Sequence, residues 1–266
     1  MRIVAGYRVN LGFWRSVHSV VDPFHNDFWF IWSDLVPFGV FLAFAWAQTS
    51  SLRFMEAPAI PRMLESMVYT GIIICRGLSA VYHIFNSASL WANRHLVYVD
   101  QIGISSMAWV SPFFFAMSER RNIEAAVATA SFGRYTEVLG VLTTMTYALF
   151  LGALMFGEHP VLFKLREPLL VALAGVGNWP SLRIAMDPLQ PRPLRLQCGV
   201  SLGCLVGAYV VCYKLAAPER FLRPGLSDGK IWNSHVLWHL FVAVGQCGYM
   251  LVPFLYGDTH ARSGYP

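Results

Sequence analysis

Long blocks of apolar residues, rather than an alternation of apolar and polar positions, dominate this chain. Each block runs for about 20 residues, the length that an α-helix needs to cross the hydrocarbon core of a bilayer. A helix satisfies its backbone hydrogen bonds internally, so blocks of this kind are typical of membrane-spanning helices. The pattern predicts seven spans, at residues 28–48, 64–85, 95–117, 137–156, 167–186, 197–217 and 234–255.

The predicted fold is therefore all-α: a polytopic membrane protein with seven transmembrane helices in one bundle. Residues 1–27 are interpreted as a short interfacial segment, 28–255 as the bundle and 256–266 as a short tail. The fifth block is the least regular, because Asn178, Trp179 and Pro180 interrupt its apolar run and predict a kink. The alanine-rich stretch 123–131 is interpreted as a lead-in to the fourth span.

Composition supports a membrane protein. Hydrophobic residues make up 56% of the chain and charged residues 13%, about half of the ~25% found in soluble domains. The net charge of +5 is spread over single basic residues, a distribution that suits anionic headgroups and argues against a nucleic-acid partner. The five cysteines form no CxxC motif and are interpreted as core residues. No signal peptide precedes the first span, which we expect to act as its own membrane signal.

Two histidines, His235 and His239, stand four residues apart at the start of the seventh span. Positions i and i+4 lie on one face of a helix, and two neutral imidazoles so placed can bind one metal ion. The chain has eight histidines, so chance produces such a pair fairly often. The glutamate of the HExxH motif is also missing between them. The pair alone is weak evidence for a metal site.

Other polar residues strengthen the case. Ser79 and His83 share a face at the end of the second span, and Asp100 lies near the start of the third. Singly, His83 fits a hydrogen-bonded helix end and Asp100 fits the partner of an arginine. With seven spans, however, these helix ends and the start of the seventh span share one membrane face, within ~10 Å of depth. We therefore expect Ser79, His83, Asp100, His235 and His239 to meet in one layer.

Three histidines with one open position are typical of a catalytic zinc, which lowers the pKa of bound water and polarises carbonyl groups. Asp100 would then hold or deprotonate the water, or orient a ligand ring. Ser79 would donate a hydrogen bond to Asp100, to the water or to a developing oxyanion. A structural metal that only ties the second, third and seventh spans together is the alternative, and the residues leave both open.

Two more ionisable residues, Asp34 and Arg76, lie within predicted spans. A buried guanidinium requires an anion, and Asp34, Asp100 or a lipid headgroup could serve Arg76. We expect a structural ion pair. The remaining histidines are assigned to loops and interfaces: His18, His25, His95, His159 and His260.

The ordered set SAVYH at 79–83, Asp100 and HVLWH at 235–239 resembles the progestin and adipoQ receptor family. That family includes the adiponectin receptors and is related to haemolysin III and, more distantly, to alkaline ceramidases. GYR at 6–8, His25 with the following asparagine, and the loop at 218–228 agree with it, so the resemblance covers residues 6–255. Val9, Asp27 and Asp34 depart from the family's usual proline, glutamate and histidine.

The resemblance implies seven helices, a cytosolic N-terminus and zinc held by His83, His235 and His239, with Asp100 and Ser79 beside the water. Some members of the family are ligand-regulated receptors, and several are tied to ceramide hydrolysis. The expected function is thus zinc-dependent amide hydrolysis of a lipid such as ceramide or a related sphingolipid. The alternative is a non-catalytic receptor for an extracellular or lipid ligand, or a scaffold, with a structural zinc. Plasma membrane, Golgi and endoplasmic reticulum all fit, and the sequence does not identify the oligomeric state.

Overall fold

The computed structural model describes residues 11–25, 27–56, 59–118, 130–156, 159–217, 219–221 and 233–262, and the elements there are helices. In chain order they are α1 Gly12–His18, α2 Phe28–Thr49, α3 Leu52–Glu56, α4 Ala59–Phe85, α5 Leu90–Ser118, α6 Ala130–Met155, α7 Pro160–Met186, α8 Arg192–Gly207 with a π-helical continuation Ala208–Lys214, and α9 Ser234–Arg262. The all-α prediction is confirmed. The GYR motif at 6–8, most of the stretch 123–131 and the loop at 222–232 lie outside the described residues.

Five helices in the described part of the chain are long and apolar enough to cross a membrane. They are Phe28–Thr49, Arg62–Phe85, Glu137–Met155, Pro160–Met186 and Arg192–Lys214. These helices correspond to predicted spans one, two, four, five and six. Helices α5 and α9 occupy the positions of predicted spans three and seven. The count of seven spans and their arrangement in one bundle stay predictions, as does the division at residues 27 and 255.

The fifth predicted span, which the sequence makes the least regular, is one continuous helix. α7 begins at Pro160, whose missing N–H costs nothing in the first turn, and it runs through Pro168 and Pro180 to Met186. Next to Pro180, the side-chain amide of Asn178 donates a hydrogen bond of 2.8 Å to the carbonyl of Ala174. That bond does not replace the one lost at Pro180, which frees the carbonyl of Val176, yet the helix continues to Met186.

Several helix ends differ from the prediction. α9 continues to Arg262, where a tail is predicted from residue 256, because hydrogen bonding does not stop where the apolar run stops and one glycine costs only about 1 kcal/mol. α4 begins at Ala59 rather than near residue 64. The short helices α1 and α3 are not predicted, since neither has an apolar run long enough to detect.

The chain forms two compact units whose boundaries fall within the long helices. The first unit contains residues 1–45, 72–103 and 203–247. Its buried apolar side chains include Ile31, Ile72 and Val236, and it holds every candidate site residue. The second unit contains residues 46–71, 104–202 and 248–266, with Phe150 and Leu173 in its core.

Candidate metal centre

The three histidines of the candidate centre lie on two helix ends in the first unit. His83 is in the last turn of α4, and His235 and His239 are in the first turns of α9. The start of α9 is fixed by Asn233, whose Oδ1 accepts the N–H of Val236 at 2.9 Å. The N–H and hydroxyl of Ser234 both donate to Oε1 of Glu219, at 2.7 and 2.8 Å. A carboxylate at a helix N-terminus also complements the helix dipole.

The ring nitrogens converge. Nε2 of His83 lies 3.1 Å from Nε2 of His235, and one nitrogen from each of the three histidines falls within 4.8 Å of the others. His83 and His239 are buried, and His235 is partly buried. Zinc–nitrogen bonds of about 2.0–2.1 Å in a tetrahedral arrangement separate neighbouring ligand atoms by about 3.3 Å. The spacing of this trio therefore suits one shared ion.

The two ring nitrogens of His83 have different surroundings. Its Nδ1 atom is buried and, among the described residues, has no hydrogen-bond partner, while its Nε2 faces another imidazole. The ring of Phe30 packs against His83 and His235 with centroid distances of 5.5 and 5.0 Å. The hydrogen-bonded helix-end histidine and the metal ligand therefore both stay open as interpretations of His83.

The third histidine contacts residues that the sequence assigned no place in the site. Nδ1 of His239 lies 2.8 Å from the Oγ atom of Ser33 and 3.1 Å from Oδ2 of Asp34. Arg76 donates to Oδ1 of Asp34 at 2.8 Å, which confirms the predicted ion pair and identifies its anion. Its guanidinium also donates to Oε1 of Gln246 at 2.6 Å and to the backbone carbonyl of His239 at 3.1 Å.

The positions of Arg76 and Gln246 could have been related to the histidines from the sequence alone. Arg76 precedes His83 by two helical turns, and Gln246 follows His239 by two turns, so each shares the face of a histidine. Ser33 and Asp34 stand on α2, and no spacing along the chain relates them to α9.

Ser79 and Asp100 lie close enough for a side-chain hydrogen bond, and Asp100 is one of the three acceptors that the sequence offers Ser79. Ser79 is buried one turn before His83 on α4, and Asp100 lies on α5 within electrostatic reach of Asp34 and Arg76. Oδ1 of Asp100 is buried without a hydrogen-bond partner among the described residues. Arg76 is occupied by Asp34, so Asp100 is not primarily the partner of that arginine. The catalytic roles of both residues stay predictions.

The chain matches one known protein family over most of its length. The haemolysin-III related family matches residues 23–250. The chain belongs to the haemolysin-III related family. That family includes the progestin and adipoQ receptors, so the resemblance drawn from the sequence is confirmed. A comparison with curated proteins gave no match.

Membership of the haemolysin-III related family, together with the apolar helices, identifies an integral multi-pass membrane protein. The cytosolic N-terminus and the compartment stay predictions. The cluster of His83, His235 and His239 can hold a metal ion, and a set of three imidazoles suits zinc, copper, iron or nickel better than magnesium or calcium. Zinc stays a prediction.

Proposed function

We propose that this protein is a zinc-dependent hydrolase that cleaves the amide bond of a membrane lipid, such as ceramide or a related sphingolipid. The carrying observation is the trio of His83, His235 and His239, each of which offers one ring nitrogen within 4.8 Å of the others. Ser79 and Asp100 lie close to each other in the same unit. Three histidine ligands leave a fourth coordination position, as in catalytic rather than closed structural sites.

Zinc bound by the three histidines supplies a Lewis acid that lowers the pKa of water and polarises the substrate carbonyl. Asp100 accepts a proton from the attacking water at its unpartnered Oδ1. The water oxygen bonds to the carbonyl carbon, the carbon–nitrogen bond breaks, and Asp100 returns the proton to the departing amine. Ser79 orients the carboxylate through its hydrogen bond. The products are a fatty acid and a free amine.

The surroundings favour a lipid substrate. His83 stands at the end of a helix apolar enough to cross a membrane, and Phe30, on a second such helix, covers two of the three imidazoles. An acyl chain lying between such helices brings its amide carbonyl to the cluster without leaving an apolar environment.

A receptor with a structural metal is the second candidate, and one observation favours it. The histidine trio and the contacts of Arg76 tie α2, α4 and α9 together within the first unit. A metal at this point would then set the packing of the helices, which a bound extracellular or lipid ligand could shift.

Turnover by purified protein separates the two candidates. Ceramide hydrolysis by the zinc-loaded protein would be followed by mass spectrometry beside Asp100→Asn, with bound zinc measured in the same samples. Loss of a general base should lower the rate by about 10²–10⁴-fold while zinc stays bound. Glu65→Gln is the matched control, because it neutralises a buried carboxylate that pairs with Arg53 in the second unit.

Two results would contradict the proposal. One is stoichiometric zinc with no hydrolysis of any sphingolipid amide or ester, which would favour the receptor. The other is an Asp100→Asn variant as active as the wild type, which would remove the proposed proton carrier.

A further inference from the structure

The hydrogen-bond pattern around His239 determines which ring nitrogen carries its proton. The hydroxyl of Ser33 lies 2.8 Å from the backbone carbonyl of Phe30, to which it donates its single proton. The same oxygen lies 2.8 Å from Nδ1 of His239, so it can only accept there. Nδ1 therefore carries a hydrogen, and the lone pair of the neutral ring is on Nε2.

Asp34 imposes the same tautomer by charge. Its Oδ2 atom is buried and lies 3.1 Å from Nδ1 of His239, where an N–H is attracted and a lone pair is repelled. The carboxylate cannot turn away, because Arg76 holds Oδ1 at 2.8 Å and is itself held by Gln246 and by the carbonyl of His239. All four residues are at most 4% exposed, so solvent screens these charges little.

We propose that Asp34 is a positioning residue for the metal ligand His239. It keeps the proton on Nδ1, fixes the ring with Nε2 free for the metal, and raises the basicity of that nitrogen. A carboxylate behind a ligating histidine does this in many metal sites. The inference rests on the metal site of the proposed function, but it holds whether the metal is catalytic or structural. It also gives a role to Asp34, one of the residues at which this chain departs from its family's usual pattern.

A simple ion pair does not account for the geometry. In the pair between Arg53 and Glu65, two guanidinium nitrogens reach two carboxylate oxygens, at 2.6 and 3.4 Å. Arg76 instead uses one nitrogen on one oxygen of Asp34 and leaves Oδ2 facing the imidazole. Oδ2 lies 3.1 Å from Nδ1 of His239 without a hydrogen bond to it, so Asp34 acts on that N–H through its charge while Ser33 takes the hydrogen bond.

Metal titration of the purified protein tests this role. Cobalt(II), which reports ligand geometry through its visible absorption, would be titrated into metal-free wild type, Asp34→Asn, the double variant Asp34→Asn/Arg76→Gln, and the control Glu65→Gln. We expect both Asp34 variants to bind cobalt about 10–100-fold more weakly, with an altered spectrum. Glu65→Gln should match the wild type.

The double variant distinguishes an effect of Asp34 on the His239 ring from an effect of Asp34 on protein stability. Asp34→Asn leaves a buried guanidinium without its anion, which by itself destabilises the protein, whereas the double variant removes both charges. Stability should therefore recover in the double variant while cobalt affinity stays low. Cobalt affinity that recovers with stability would overturn the proposal, because Asp34 would then act only through the fold.

Two further outcomes are decisive. If the wild type binds neither zinc nor cobalt, both the proposed function and this inference are wrong. If the wild type binds cobalt and both Asp34 variants bind it with the same affinity, only this inference is wrong. If the Asp34 variants do not fold, nitrogen-15 NMR of the histidines in metal-free wild type still tests the proposal, because it reports the tautomer of His239 directly. It should show the Nδ1–H tautomer for His239, assigned by comparison with His239→Gln, and an Nε2–H tautomer would contradict the proposal.

Discussion

The Nε2 atom of His235 lies 3.1 Å from the Nε2 atom of His83, although 152 residues separate them in the chain. Two neutral imidazoles at this distance can share only one proton, so their lone pairs oppose each other unless a proton or a cation lies between them. His239 adds a third ring, with centroids 4.6 Å from His235 and 4.9 Å from His83. Each of the three rings offers one nitrogen within 4.8 Å of the others, so the cluster could hold one metal ion.

Replacement of His235 by alanine should therefore remove the metal. We expect zinc near one equivalent per chain in the wild type and at least a 100-fold loss of affinity in the variant, because two ligands rarely hold zinc. Inductively coupled plasma mass spectrometry measures the content. His95→Ala is the control, since His95 is exposed and its Nδ1 lies 2.8 Å from the carbonyl of Trp91. Equal zinc in wild type and His235→Ala would remove the basis of both proposed functions.

The cap of α9 should influence metal affinity as well as stability. Asn233→Ala removes the acceptor of the Val236 N–H and should cost about 1 kcal/mol of unfolding free energy, while Asn233→Ser should restore it. Because His235 is in the first turn, fraying there should also weaken cobalt binding severalfold. Unfolding in detergent and cobalt titration measure the two effects.

A matched cap on another helix provides the control for Asn233. The hydroxyl of Ser89 accepts the N–H of Ala92 at 3.0 Å at the start of α5, a helix without a metal ligand. Ser89→Ala should lose similar stability with unchanged cobalt affinity. A parallel loss of affinity in both variants would show that general stability, not the position of His235, controls binding.

The clustering of the three histidines was predictable from the sequence because the spacing of His235 and His239 is short-range. The interval of four between His235 and His239 fixes a shared helix face, and the apolar blocks put His83 and this pair at helix ends. Ser79 and Asp100 followed from the same reasoning. The seven-span arrangement predicted that these residues lie in one layer, and the family resemblance then implied their roles.

The contacts that Ser33 and Asp34 make with His239, and the pairing of Arg76 with Asp34, were not predictable from the sequence. Ser33 and Asp34 reach His239 only because of how α2 packs in the first unit, and a helix of apolar residues carries no periodic signal for its rotation in a membrane protein. Arg76 had three candidate anions in the sequence, and only the packing selects Asp34. Helix ends such as that of α9 were also missed, because hydrogen bonding extends beyond the apolar run.

Asp27 should give the protein a pH-dependent stability. This residue precedes α2 and is 1% exposed, and burial raises its pKa to about 7, with the nearby side chain of Asn86 partly opposing the shift. The unfolded carboxyl has an ordinary pKa of 3.8, so between about pH 4 and 7 the folded chain keeps a proton that the unfolded chain has released. Stability from this group therefore falls as pH rises through that window and is lowest above pH 7.

Asp27→Asn should remove this dependence, because the amide stays neutral. The unfolding midpoint in detergent would be compared at pH 5 and pH 8, and the wild type should lose more stability between them than the variant. The comparison is repeated in a His25→Gln background, because Nδ1 of His25 lies 3.9 Å from Oδ2 of Asp27 and interacts with it only in the wild type. Identical pH profiles would show that Asp27 is already ionised in the folded protein.

Two glycines of α7 should respond in opposite ways to the same added methyl group. A Cβ atom on Gly177 would lie 2.5 Å from the backbone carbonyl oxygen of Ala108 on α5, and a backbone atom cannot move aside as a flexible side chain can. Overpacking of this kind costs about 1–3 kcal/mol. A Cβ on Gly175 meets nothing within 4 Å, so alanine there should gain up to about 1 kcal/mol from helix propensity. Unfolding of Gly177→Ala and Gly175→Ala in detergent measures the difference, and a Gly177→Ala protein as stable as Gly175→Ala would mean that α5 and α7 do not approach this closely.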